Sequence, residues 1–228
     1  MRDGYDTSPF NPVPAVVWLL VLPIAAMELV LSAGEGGLAG GAMGVGWRQD
    51  AFQRFALAPA MLRQMIDTGQ WNPDFLMRFL TYGFVHLSPV QALFGGIFTL
   101  ALGKFVAEVF RPWAVLAVFF GAQIVAGVVY SLVPYTQFAL VGAYPAAYGL
   151  IGAFTFILSA RLGAVNANRA RAFGMIGFLI GIQLVFALIY GGTWDLAAKI
   201  VGFATGFVMS FVVAPGGPAY LLARMRQR

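Results

Sequence analysis

The sequence predicts an all-α, polytopic membrane protein, and three observations carry that reading. Hydrophobic residues fill 60% of its 228 positions and charged residues only 10%, whereas charged residues make up about a quarter of an ordinary soluble domain. The chain contains several apolar runs of the roughly 20 residues that a spanning helix needs. Its basic residues fall in alternate connections between those runs, as the positive-inside rule requires of a multi-pass chain. The mean hydropathy is +0.81.

The runs are Pro12 to Ala33, Pro89 to Val109, Pro112 to Pro134, Ala143 to Ala160, Ala172 to Tyr190 and Leu196 to Ala214, so six spans are expected. Residues 1–11 are polar and read as an N-terminal tail, and the first run lacks a small-residue cleavage site, so it is expected to be retained as a span. Residues 12–214 form one membrane domain, and 215–228 read as a basic C-terminal tail. Between the first two runs, residues 34–78 open with a Gly-rich stretch. They continue with apolar residues at helical spacing beside Arg54, Arg63 and Asp67. That pattern predicts one or two short amphipathic helices lying in the interface.

Six alternating spans put Arg2, Lys104, Arg111, Arg161, Arg169, Arg171, Arg224, Arg226 and Arg228 on one side. That side is expected to be cytoplasmic and to hold both termini. The opposite loop balances Arg48, Arg54, Arg63 and Arg78 against Glu35, Asp50, Asp67 and Asp74. The net charge of +5 is thereby explained by topology, and no nucleic-acid partner is expected. The absence of Cys excludes disulfides, thiolate metal sites and cysteine nucleophiles. With a single His and no neighbouring carboxylate pattern, neither a metal site nor a cofactor is expected.

The segment from Arg78 to Gly95 reads RFLTYGFVHLSPVQALFG, and Leu102-Gly103 and Glu108 follow it. It resembles the start of the second span of rhomboid intramembrane serine proteases, where an Arg, a Thr and a His precede a second His and an Asn. Gly142-Ala-Tyr144-Pro145 falls where rhomboids carry Gly-x-Ser-Gly at the head of the fourth span. Ala198-Lys199-Ile-Val-Gly202-Phe-Ala-Thr-Gly206 falls where they carry Ala-His-x-x-Gly-x-x-x-Gly in the sixth. The resemblance covers roughly residues 75 to 214, and it implies a six-span rhomboid-like bundle with an interfacial helical loop between the first two spans.

It also implies that the chemistry is gone. Tyr144 stands at the nucleophile position and Lys199 at that of the general base. Gln91 and Gly95 replace the His and Asn of the oxyanion pocket, leaving His86 of the polar set. A phenol deprotonates only near pH ~10 and projects further than a serine hydroxyl. Pro145 suits a first helical turn but supplies no amide to an oxyanion. His86 reads either as a survivor of the oxyanion pocket or as a helix-head residue bonded in its loop. Lys199 is expected to snorkel or to pair within the membrane, with Asp195 one turn earlier or with Glu28 at similar depth in the first span. Gly202 and Gly206, with Gly149 and Gly152, are candidates for helix packing or client binding. Trp47-Arg48 lies in the first external loop, where rhomboids and their inactive relatives often carry a Trp-Arg pair.

The function expected is that of a pseudoprotease of the bacterial inner membrane, whose partners are the lipid bilayer and transmembrane segments of client proteins. An active intramembrane serine protease and a transporter or structural subunit are the alternatives. Apart from Glu28, Lys199, Gln123 and Gln183 the spans hold few polar residues, which argues against carriage of charged solutes.

Overall fold

The structure, a computed structural model, describes residues 12–134, 136–190 and 195–215. Arg2 and the basic C-terminal cluster lie outside the described residues, as do the two tails apart from 215. In chain order the helices are α1 (Ala15–Glu35), a single turn α2 (Gly41–Gly44), α3 (Trp47–Phe55), α4 (Pro59–Thr68) and α5 (Pro73–Thr81). They continue with α6 (Pro89–Ala107), α7 (Pro112–Leu132), α8 (Tyr144–Ala164), α9 (Gly174–Tyr190) and α10 (Leu196–Val213). Short 3-10 turns at Tyr82–Phe84 and Arg169–Phe173 precede α6 and α9. The described residues are all-helical and contain no strand, only one antiparallel bridge between Leu57 and Leu140.

Five of these helices, α1, α6, α7, α8 and α10, are long and apolar enough to cross a bilayer. Helical backbone closes its own hydrogen bonds, which is the condition for entering hydrocarbon. The run expected at Ala172 to Tyr190 is shortened because the 3-10 turn takes its first residues, leaving α9 with 17.

Proline sets where helices begin. Pro59, Pro73, Pro89, Pro112 and Pro145 each occupy the first turn of a helix, where a missing N–H leaves no bond unmade. Asn72 and Ser88 add side-chain caps, accepting from the amides of Asp74 and Gln91. Two helices run past their expected ends: α1 continues beyond Ala33 to Glu35, where Gly34 packs beneath the Trp47 ring, and α8 continues beyond Ala160 to Ala164.

The main core lies among α1, α6, α7, α8 and α10, around Val17, Leu20, Val106, Phe119, Leu150 and Ile151. A second cluster ties the loop helices to α7 through Leu57, Leu62, Phe75, Phe79, Tyr82 and Tyr130. The loop between α1 and α6 thus holds two helices, α3 and α4, over the stretch of Arg54, Arg63 and Asp67 where one or two were expected, and a third, α5, follows at Pro73–Thr81. Arg63 of α4 fastens it further, donating to the carbonyls of Val133 at 3.0 Å and Thr136 at 2.7 Å beyond the C-terminal end of α7. A cation there also complements the negative end of the helix dipole.

Candidate functional site

The segment before α8 is positioned by backbone bonds at two levels. Leu57 and Leu140 exchange bonds of 3.0 and 2.9 Å, and the Gly142 amide donates to the Tyr82 carbonyl at 2.9 Å. Gly142 adopts φ +91°, which a residue with a Cβ rarely tolerates. Its turn sets Ala143 against His86, whose Nε2 accepts the Ala143 amide at 3.2 Å. With Nε2 accepting, the neutral imidazole carries its proton on Nδ1. Burial pushes its pKa down to about 4, in keeping with an exposure of 1%.

Gln91 and Gly95 converge on the same place. Gln91 Oε1 accepts the Leu87 amide at 2.7 Å, which commits that side chain to the head of α6. A Cβ at Gly95 would stand 2.9 Å from His86 Nε2, so the missing side chain is what lets the imidazole reach Ala143. His86, Gln91, Gly95 and the Gly142–Ala143 turn therefore form one closed cluster, with the Ala143 amide spent on the imidazole.

Tyr144 and Lys199 meet beside it. The Lys199 ammonium lies 5.2 Å from the centroid of the Tyr144 ring, 2.8 Å from Asp195 Oδ2 and 3.0 Å from Gln183 Oε1 of α9. Gln183 in turn donates to the hydroxyl of Tyr148. One ammonium thus gathers a carboxylate, an amide and an aromatic face, an arrangement that satisfies a largely buried charge. Glu28 is not its partner. It forms an ion pair with Arg48 of α3 at 2.7 Å, which corrects the alternative pairing considered for Lys199.

Arg48 is the residue whose role the sequence left unassigned. It is 8% exposed and donates to both oxygens of Glu28, to both of Glu35, and to the His86 carbonyl at 3.0 Å. Ser32 completes the group by donating to Glu28 Oε1 at 2.6 Å. The signal was present in α1, where Glu28, Ser32 and Glu35 recur at helical spacing on one face. A cation anchored in the loop answers that stripe and joins α1 to the head of α6.

The four glycines lie at helix contacts: Gly152, Gly202 and Gly206 sit where α8 meets α10, and Gly149 also faces Ala122 of α7. A Cβ on Gly202 would collide with the Pro145 carbonyl, one on Gly206 with that of Gly149, and one on Gly152 with that of Phe203. Backbone-to-backbone contact of this kind is what small residues at i and i+4 permit.

Helical spans without strands, closed around a buried polar cluster at the loop-side end of α6, α8 and α10, define a polytopic helical membrane protein. The rhomboid-domain family model matches residues 73–216, well over half of the chain, and the protein belongs to the rhomboid family. None of the curated proteins compared with the chain matches it.

Proposed function

We propose that this rhomboid-family protein is a pseudoprotease that holds transmembrane segments of client membrane proteins without cutting them. The observation that carries the reading is the Lys199 cluster. At the two positions where the resemblance puts nucleophile and base, an ammonium rests on a phenol ring and is neutralised by Asp195. A nucleophilic hydroxyl needs a base within hydrogen-bond reach, and among the described residues no serine hydroxyl bonds to His86 or Lys199. Ser32 and Ser210 instead donate to Glu28 and to the Gly206 carbonyl, and Ser88 caps α6. Pro145 and the engaged Ala143 amide remove two donors that an oxyanion would use.

In this reading α9 is the fifth of six spans and α10 the sixth, α3 to α5 lie in the interface, both termini are cytoplasmic, and the protein resides in a bacterial inner membrane. The test is a fluorophosphonate probe applied to the purified protein in detergent, alongside crosslinking in native membranes. No labelling, together with recovery of membrane proteins crosslinked through their spanning segments, is the expected result. Labelling of any serine would reveal an activated nucleophile and overturn this reading.

A further inference from the structure

A cavity of about 530 Å³ lies between α1 and α6, away from the Lys199 cluster. Its walls are apolar, with Ile24, Ala25 and Leu29 on one side and Leu93, Gly96 and Ile97 on the other. Leu29 and Leu93 are exposed at its mouth. It runs from Val21 to Ser32 along α1 and from Pro89 to Leu100 along α6. Eleven helical steps on each side give about 16 Å, which is half of a hydrocarbon core roughly 30 Å thick. The groove therefore serves one leaflet. A spanning helix would need both leaflets and a seat about 10 Å wide, whereas an acyl tail descends through one.

The polar end of the groove identifies the headgroup. Glu28 and Ser32 line it, and Arg48 joins Glu28 to Glu35. Two carboxylates against one guanidinium leave a net charge of −1, since His86 is held neutral. The donors of Arg48 are already spent on Glu28, Glu35 and the His86 carbonyl, so a phosphate finds no free guanidinium. Glu35 is the open member, with 38% of its side chain exposed, and a carboxylate has lone pairs to spare for an ammonium.

We propose that the α1–α6 groove is a specific site for a phospholipid with an ammonium headgroup, its tail lying along the groove over Ile24 and Gly96 and its amine at Glu35. The site stands independently of client binding. Gly96 offers a clean variant, because a Cβ there meets only the Ile24 methyl at 4.0 Å, so Gly96→Leu fills the groove rather than the helix contact.

The experiment is native mass spectrometry of the full chain in mild detergent, titrated with phosphatidylethanolamine and phosphatidylglycerol of identical tails. The wild type should bind the first phosphatidylethanolamine at least about tenfold more tightly. Gly96→Leu should lose at least about tenfold in that affinity with unchanged helicity. Glu35→Gln should erase the headgroup preference while keeping the tail. A phosphatidylethanolamine carrying a photoreactive tail should label α1 and α6 of the wild type, a result that needs no variant to fold. Equal affinity for the two lipids, labelling spread evenly over the spans, or a second protein's helix crosslinked in this groove would each overturn the proposal.

Discussion

Lys199 and His86 handle the same difficulty, a titratable nitrogen away from water, in opposite ways. Lys199 keeps company: its side chain is 11% exposed and its carboxylate partner Asp195 is 37% exposed. Removing the acceptor strands the ammonium, whereas removing the ammonium leaves a carboxylate that water reaches. Asp195→Ala should therefore destabilise the protein by about 1–3 kcal/mol and Lys199→Met by under about 1 kcal/mol. Thermal unfolding in detergent checks the order. His86 is kept neutral, with its folded pKa at about 4 below an ordinary value near ~6.5. As the pH falls the unfolded chain takes up the proton first, so stability is lost between about pH 6.5 and about pH 4. The loss amounts to something on the order of 3 kcal/mol and levels off below that window. Unfolding midpoints across the window should show this slope, and His86→Asn should flatten it.

At the scale of elements, the tightest union is that of α8 with α10, where carbonyls stand in the places of missing side chains. Gly206→Ala has no room beside the Gly149 carbonyl, and it should cost about 2 kcal/mol or more as the two helices are forced apart. Gly181 of α9 is the control, because a Cβ there meets nothing within 4 Å. Gly181→Ala should be neutral or stabilise by up to about 1 kcal/mol through helix propensity alone. Melting temperatures of the two variants separate a packing glycine from an incidental one. By contrast α9 presents exposed Phe178, Leu184 and Val185 outward. The Lys199 ammonium, donating to Gln183 Oε1, ties it to α10.

The whole molecule depends on how the loop between α1 and α6 is fastened to the bundle. Arg48 joins α3, α1 and the carbonyl of His86, while Arg63 and the Leu57–Leu140 bridge bind the loop to the C-terminal end of α7 and the approach to α8. Arg48→Ala would leave Glu28, with 15% of its side chain exposed, charged and unpaired in an apolar helix. The expected cost is about 3 kcal/mol or more. Arg48→Lys should recover little of it, since an ammonium lacks the planar fork that grips two carboxylates at once. Limited proteolysis of the loop, together with unfolding in detergent, reads both outcomes.

Amino-acid order alone determined that the chain enters membranes as helices, because each span must satisfy its backbone within itself and so announces its length and composition locally. Order and spacing also carried the family likeness through Arg78 to Gly95, Tyr144 and Lys199. Asp195 and Lys199 stand one turn apart on adjoining positions, so their reach was legible too. Only the tertiary structure decided that Glu28 belongs to Arg48 and not to Lys199. It alone set Gln183 on the ammonium and closed Gly152, Gly202 and Gly206 against the backbone of the facing helix. Each of those pairings joins different elements, and the distance between elements is set by how helices pack, which no periodicity along one helix records.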